Sequence, residues 1–89
     1  MFGMKNPTAF ELWWWSRRIA RMQRCRTTAE LLRRHGEPTH RTGGGDLAIW
    51  HYPIRRVGKM DYAIHALVGG EVAEQVYLYM ELAESEPPS

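Results

Sequence analysis

Residues 46–82, DLAIWHYPIRRVGKMDYAIHALVGGEVAEQVYLYMEL, decide the fold of this chain. Apolar side chains recur at every second position in three runs, and this period of two is typical of strands that bury one face. The runs are 48–54, 60–68 and 72–82. The breaks between them fall at glycines, around Gly58 and at Gly69 and Gly70. The stretch therefore predicts three strands in an antiparallel meander.

The last of these runs allows two interpretations. Val72, Val76 and Tyr79 also fit the spacing of a helix, and the Ala and Glu residues around them favour helix. The preceding Gly-Gly pair and the sequence VYLYM at 76–80 favour a strand, and we adopt the strand.

Strand register follows from keeping the apolar residues on one face. Setting Tyr52 opposite Ile64 achieves this for the first hairpin, and setting Ile64 opposite Val76 achieves it for the second. The other predicted pairs are Trp50 with Ala66, Ile54 with Tyr62, Arg55 with Asp61, His51 with His65, Tyr62 with Leu78, and Ala63 with Tyr77.

Two helices are predicted ahead of the strands, over 8–25 and 28–35. Thr8 is followed three residues later by Glu11, and Thr27 by Glu30, which are capping-box patterns. Gly36 suits the end of the second helix. Leu12, Trp15, Ile19 and Met22 form the core-facing stripe of the first helix, and Leu31 and Leu32 supply the buried contacts of the second. The segment 41–45, with three consecutive glycines, is predicted to be a mobile link.

The predicted architecture is thus α+β, with two helices packed on one face of a three-stranded meander (ααβββ). Residues 1–7 are expected to be a flexible start, 8–83 one domain, and 84–89 an acidic tail that ends in proline and serine. A chain of 89 residues forms one domain at most and buries only about 60–65% of its unfolded surface.

Charge is divided unevenly along the chain. Residues 1–45 carry nine Lys/Arg and three Glu, whereas residues 46–89 carry three Lys/Arg and seven Asp/Glu. A basic half and an acidic half can pack on each other, or pair head to tail in a dimer. The arginines therefore do not by themselves indicate nucleic-acid binding.

Cysteine content and hydropathy bear on the compartment. The single Cys25 excludes an internal disulfide framework and a cysteine-based zinc site, which fits a reducing environment. The apolar run 12–15 is shorter than the core of an export signal, and no stretch reaches the roughly 18 apolar residues that span a bilayer. We therefore expect a cytoplasmic protein without a transmembrane segment.

Two surfaces carry more apolar side chains than solvent-facing surfaces usually do. The outer face of the first helix carries Phe10, Trp13 and Trp14, and it continues with Arg17, Arg18, Arg21 and Arg24. The face of the sheet away from the helices carries His51, Pro53, His65, Tyr77 and Tyr79, with Ile49 and Leu67 beside them. Apolar surfaces of this kind indicate a partner.

Few residues in the sequence have the arrangement that catalysis or metal binding needs. Ser16 lies in mid-helix without a histidine to activate it, and Cys25 is expected to be a semi-buried residue at a helix end. No phosphate-binding or dinucleotide-binding motif is present. His51 and His65 face each other in the predicted sheet, with Tyr77 or Asp61 as a third ligand if they held a metal. We predict neither an enzyme nor a bound cofactor.

Two short motifs occur in order along the chain, Gly36-Glu37-Pro38-Thr39 and then Trp50-His51-Tyr52. Two more predicted strands follow them, with a turn at a glycine before Val72. This order resembles the small outer-membrane-assembly lipoproteins and the related β-lactamase-inhibitor-like modules, over about 27–82. The resemblance implies two helices on a three-stranded antiparallel sheet and a role in binding proteins. The lipidated cysteine of the lipoproteins has no counterpart, because Cys25 lies in an arginine-rich helix.

Protein–protein association accounts for most of these features. The sequence predicts a non-catalytic binding or adaptor module that forms a homodimer, with Trp13 and Trp14 as first candidates for the interface. The alternative is nucleic-acid binding through the arginine stripe. Binding at a membrane surface through the same helix is a third, less favoured reading.

Overall fold

The computed structural model describes residues 6–44 and 46–82. In this part of the chain, two helices precede four strands. Their bounds are α1 Ala9–Gln23, α2 Thr28–His35, β1 His40–Gly44, β2 Leu47–Val57, β3 Met60–Gly69 and β4 Val72–Leu82. The strands form an antiparallel sheet in the order β1-β2-β3-β4. The predicted α+β class is confirmed, whereas the prediction of three strands is wrong. The predictions for residues 1–5 and 84–89 lie outside the described residues.

The capping box at the start of α1 is present as predicted. The Thr8 hydroxyl accepts a hydrogen bond from the Glu11 N–H at 3.1 Å, and the Glu11 carboxylate accepts one from the Thr8 N–H at 3.0 Å. These bonds satisfy amides that lack a partner in the first helical turn. α1 ends at Gln23, two residues before the predicted end. α2 has the predicted bounds, and Gly36 caps it with a φ of 81°.

Replacing Thr8 by alanine is expected to lower the free energy of unfolding by about 1 kcal/mol, because the Glu11 amide loses its acceptor. Urea denaturation followed by circular dichroism measures the change. Thr42→Ala, at an exposed position of the edge strand β1, is the matched control and should change the stability by less than about 0.5 kcal/mol. Equal effects of the two substitutions would contradict the role of the cap.

Strand β1, His40–Gly44, contains residues 41–44 of the segment 41–45 that was predicted to be a mobile link. It pairs with β2 in antiparallel register, from His40 opposite His51 to Gly44 opposite Leu47. The sequence hides this strand because glycine has a low intrinsic preference for strands. The sheet therefore has four strands, and β1 rather than β2 forms its first edge.

Side chains that precede the glycines hold β1 in place. The Thr39 hydroxyl donates to the carbonyl of His51 at 3.1 Å, and the Arg41 guanidinium lies 4.7 Å from the centre of the Trp50 ring. Gly43 has a φ of 92°, and a Cβ there would lie 3.0 Å from a backbone oxygen of β2. Only glycine fits this close approach without strain.

The hairpin of β2 and β3 keeps the predicted register in its middle and loses it near its turn. The confirmed pairs are Trp50 with Ala66, His51 with His65 and Tyr52 with Ile64. A bulge between Pro53 and Arg55 then adds one residue to β2, so that Arg56 instead of Arg55 pairs with Asp61, at 2.8 Å. Arg55 turns to the helix side and binds Glu11. The predicted pairs Ile54 with Tyr62 and Arg55 with Asp61 are therefore wrong.

The hairpin of β3 and β4 is shifted by two residues from the prediction. Ile64 pairs with Leu78 instead of Val76, Tyr62 with Met80 instead of Leu78, and Ala63 with Tyr79 instead of Tyr77. The predicted register would have left one residue for the turn, whereas the observed turn has two residues and a bulge follows in β4. The longer turn and the bulge each shift the pairing by one residue. Because the total shift of two residues is even, the same side chains of β4 still face the helices. The choice of strand over helix for 72–82 is confirmed.

The core lies between the two helices and the predicted face of the sheet. Met22 and Leu31 have no exposed surface and pack in one cluster with Trp50, Tyr52 and Ile64 of the sheet. The predicted α1 stripe is correct at Trp15 and Met22, which are buried, and at Ile19, which is half-buried. It is wrong at Leu12, which is 42% exposed.

Candidate partner-binding surfaces

Phe10, Trp13 and Trp14, the aromatic cluster, lie together on the outer face of α1. Their side chains are 65%, 51% and 46% exposed. Neighbouring ring centres are 5.3–6.3 Å apart, in stacked and edge-to-face arrangements that are favourable for aromatic pairs. The spacing of three and four residues brings them to one side of the helix. Trp15, one position further, points to the sheet, where its ring lies 5.0 Å from that of Tyr62.

Arginines continue the aromatic cluster along the same face of α1. The Arg17 guanidinium lies 5.0 Å from the centre of the Trp13 ring, a cation–π contact. Arg21 and Arg24 line a shallow groove together with Arg17 and the two exposed tryptophans. Arg18 does not line this groove; it is half-buried.

The groove lined by Arg17, Arg21 and Arg24 continues to the end of α2. Arg34 and His35 line its continuation with Arg21 and Arg24. Burial, followed by the charges of Arg18, Arg21 and Arg34, lowers the pKa of His35. A histidine whose pKa falls beside several arginines marks a region of positive potential, which attracts anionic groups.

A row of aromatic rings crosses the sheet on the face away from the helices. His40 of β1 stacks on His51 of β2 with ring centres 4.3 Å apart, and His51 Nδ1 lies 2.9 Å from His65 Nε2 on β3. His65 in turn stacks on Tyr79 of β4 at 4.0 Å and meets the edge of Tyr77 at 5.8 Å. The structure therefore joins four of the predicted residues of this face, His51, His65, Tyr77 and Tyr79. It adds His40, which the sequence did not indicate because β1 was not predicted.

The contact between His51 and His65 constrains their protonation. A distance of 2.9 Å between two ring nitrogens is a hydrogen bond in which one N–H donates to the other ring's lone pair, so the two rings cannot both be protonated and keep it. Burial, followed by the neighbouring His40, lowers the pKa of His51. Burial, followed by His51, lowers the pKa of His65, which is only 9% exposed.

Three histidines of this face, His40, His51 and His65, form a histidine row whose geometry can be compared with that of a metal site. Within 6–44 and 46–82, no three His, Cys, Asp or Glu side chains are arranged to hold an ion. His40 and His51 stack nearly parallel, at 19°, so that the lone pairs in their ring planes do not converge on one point. Asp61, one of the two predicted third ligands, is bound to Arg56 at 2.8 Å. The rings of the histidine row, together with Tyr77 and Tyr79, pack against one another across this face of the sheet.

Neither nucleophile suggested by the sequence is placed for catalysis. Cys25 is 3% exposed, and burial is the main reason why the pKa of its thiol is raised. A buried thiol with a raised pKa is a poor nucleophile. Ser16 is an exposed residue of α1, and within the described residues its hydroxyl has no histidine hydrogen-bonded to it.

The outer edge of β4 is a surface that the sequence did not indicate. Its first half is covered by the segment between the helices and by the end of α1. The bonds run from Thr28 N–H to Glu71 O at 3.0 Å, from Ala73 N–H to Arg26 O at 3.0 Å, and from Gln23 Nε2 to Val76 O at 2.9 Å. Among the described residues, no such bond reaches the outer edge at 77–82. We call residues 78–82 the open edge.

Apolar side chains flank the open edge on the helix side. Leu78 is 37% exposed, Met80 57% and Leu82 70%. A strand edge with unpaired backbone groups and apolar side chains favours pairing with another strand. The alternation of apolar residues in the last strand is the sequence signal that could have located the apolar side chains of this edge.

The described helices include none that is both long and apolar enough to cross a membrane. Comparison with known proteins finds no match to a family model, to a curated protein or to a solved structure.

Proposed function

We propose that the protein is a non-catalytic protein-binding module that acts as a homodimer and binds its partner through the aromatic cluster. The observation that carries this proposal is the exposure of Phe10, Trp13 and Trp14, at 65%, 51% and 46%, on a helix whose opposite face already packs on the sheet. Tryptophan and arginine are the residues that most often dominate the free energy of binding at protein interfaces.

The charges beside the aromatic cluster define the chemistry of the partner. Arg17, Arg21 and Arg24 line the groove, and Arg34 lies at its end. The acidic residue nearest the cluster on α1, Glu11, is already bound to Arg55. The surface therefore fits an acidic segment of another protein that places an apolar side chain against the tryptophans and carboxylates against the arginines.

Several features of the chain support the wider proposal. A homodimer presents two aromatic clusters, and two linked sites bind a bivalent partner far more tightly than one. The buried, unpaired thiol of Cys25 fits the reducing cytoplasm, which is the location we propose. The resemblance to the outer-membrane-assembly lipoproteins and β-lactamase-inhibitor-like modules also points to protein binding, although that family's sheet has three strands.

Retention of partner proteins from a nuclease-treated cell extract tests the role of the aromatic cluster. The Trp13→Ala/Trp14→Ala variant should retain the partner at least about 30-fold less tightly, since a hot-spot tryptophan contributes about 2 kcal/mol or more. Leu47→Ala, which trims a side chain that is 51% exposed on the sheet, is the matched control and should retain the same proteins as the wild type. A protein set that is identical for all three baits would contradict the proposal.

Nucleic-acid binding is the second candidate, because the same groove sets Trp13 and Trp14 beside Arg17, Arg21 and Arg24. Bases stack on such rings and phosphates bind such arginines. Filter binding of a thymidine oligonucleotide of about 20 nucleotides, at salt concentrations from about 50 to 200 mM, distinguishes the two. Tight, salt-sensitive retention that is abolished in Arg17→Glu/Arg21→Glu/Arg24→Glu supports nucleic acid. Absence of retention contradicts nucleic-acid binding.

A further inference from the structure

We infer that two copies of the chain join through the open edge of β4, so that their sheets form one continuous eight-stranded sheet. This inference rests on the homodimer of the proposed function and names its interface. In such a dimer, residues 78–82 of one copy pair antiparallel with residues 78–82 of the other, about a two-fold axis at Met80. Pairing of this kind supplies partners for the backbone groups that the described part of the chain leaves open.

The direction of the backbone groups follows from the bonds already made. The Val76 carbonyl accepts from Gln23 and therefore points away from β3. Backbone groups alternate along a strand, so the N–H and C=O of Leu78 and Met80 also point outward. Those of Tyr77 and Tyr79 point to β3, where these residues pair with His65 and Ala63.

The covered half of β4 selects the register. Gln23 occupies the edge at Val76, so a partner strand must end before this position. A two-fold axis at Leu78 would place Met80 of one copy on the blocked Val76 of the other. An axis at Met80 pairs Leu78 with Leu82 and avoids the blocked position on both copies.

Side chains match on both faces in this register. On the helix side, Leu78, Met80 and Leu82 meet the same residues of the second copy and form a continuous apolar band, where their exposure is now 37%, 57% and 70%. On the other side, Glu81 faces Tyr79 of the second copy. Within one chain the Tyr79 hydroxyl already donates to the Glu81 carboxylate at 2.8 Å, so phenol and carboxylate are compatible neighbours. Glu81, the charged residue of the open edge, therefore does not face Glu81 of the second copy.

The dimer leaves the aromatic cluster free for a partner. α1 packs on the face of the sheet, and its aromatic cluster points away from that face. An edge-to-edge dimer extends the sheet sideways, so the outer faces of both α1 helices stay exposed. Self-association and partner binding then use different surfaces of the same chain.

Light scattering of the purified, nuclease-treated protein over a range of concentrations tests the inference. The wild type should have twice the 10.4 kDa mass of the chain. Met80→Lys should be a monomer at concentrations at which the wild type is a dimer, because two ammonium groups then meet at the axis. Val72→Lys is the matched control, since Val72 is 50% exposed on the same strand but lies in its covered half. This variant should remain a dimer.

A covalent trap tests the register without weakening the fold. Paired residues that exchange hydrogen bonds in an antiparallel sheet have Cα and Cβ atoms about 5.5 Å apart, which is more than the Cβ separation of about 3.8 Å in a disulfide. A bis-maleimide reagent spans this distance, so it should cross-link Met80→Cys to a dimer, whereas it should leave Val72→Cys without a cross-link. The native Cys25 is buried and stays unreacted.

The outcomes separate this inference from the proposed function. A Met80→Lys variant that remains a dimer, with a Met80→Cys variant that does not cross-link, overturns the open-edge interface but keeps the homodimer. If Trp13→Ala/Trp14→Ala is then the monomeric variant, the dimer forms through the aromatic cluster. A wild type that is monomeric at every concentration contradicts the homodimer and the inference together, and leaves partner retention to be judged on its own.

Discussion

Replacing Leu31 by alanine is expected to lower the free energy of unfolding by about 2–5 kcal/mol. Leu31 has no exposed surface, and it is the one fully buried residue that α2 contributes to the core. The substitution removes apolar contacts and leaves a cavity between α2 and the sheet. The total stability of a small domain is only about 5–15 kcal/mol, so the variant is expected to be close to unfolding at room temperature.

Urea denaturation followed by circular dichroism measures this loss. The matched control is Leu47→Ala, which makes the same chemical change at a side chain that is 51% exposed on β2. It should alter the stability by less than about 0.5 kcal/mol. If the two variants unfolded at the same urea concentration, α2 would not be anchored by Leu31, and the described core would be incorrect.

A loss of stability in mild acid is expected from the histidine row. The pKa values of His51 and His65 are lowered in the folded protein from the ordinary value of 6.5, mainly by burial. Between 6.5 and the lowered values, the unfolded chain therefore binds protons that the folded chain does not bind. By linkage, stability is fully present above pH 6.5 and falls as the pH drops through that interval. Each unit of lowering is worth about 1.4 kcal/mol per histidine.

The hydrogen bond between the two rings also predicts a loss of stability in acid. The hydrogen bond of 2.9 Å between His51 and His65 needs one unprotonated ring nitrogen, and a second proton replaces it by two N–H groups that face each other. The nearby Asp61 and Glu81 charges favour protonation of His51, but burial outweighs them. His40, stacked on His51, further lowers the pKa of His51.

Stability from urea denaturation at several pH values between 5.5 and 7.5 checks this expectation. The wild type should lose stability steadily below pH 6.5, and His51→Gln/His65→Gln should lose less over the same interval. The exposed His40 is the control, because His40→Gln removes only the ring stacked on His51 and keeps the hydrogen-bonded pair, so this variant should still lose stability below pH 6.5. An equal pH dependence in the wild type and the double variant would show that the pair does not titrate with folding.

Much of the fold could be predicted from local patterns, and the errors have physical causes. The capping residues Thr8 and Thr27 marked both helix starts, because each hydroxyl accepts from the N–H three residues later. The full capping box forms only at Thr8 among these two, since the Glu30 carboxylate accepts from the Arg26 N–H and not from that of Thr27. Alternation marked the faces of the strands. β1 was missed because its glycines do not alternate with apolar residues and its order comes from contacts such as that of Arg41 with Trp50. The bulges shifted the register because nothing local to the sequence announces an extra residue.

The candidate surfaces were predictable where they depend on a single element. Phe10, Trp13 and Trp14 lie together because helical spacing alone brings them together. The pair His51 and His65 needed only the register of one hairpin. The open edge of β4 could not be foreseen, because it depends on which part of the edge the distant Gln23 and the segment 26–28 cover.

The run of three tryptophans at 13–15 has an optical consequence. Trp13 and Trp14 are 51% and 46% exposed, whereas Trp15 and Trp50 are each 7% exposed. Exposed indoles emit at longer wavelengths and are quenched by iodide, and buried indoles emit at shorter wavelengths and are shielded. Occupation of the aromatic cluster should therefore alter the long-wavelength, quenchable part of the emission, and unfolding should alter the shielded part. The intrinsic tryptophan fluorescence of the unlabelled protein thus distinguishes partner binding from unfolding of the core.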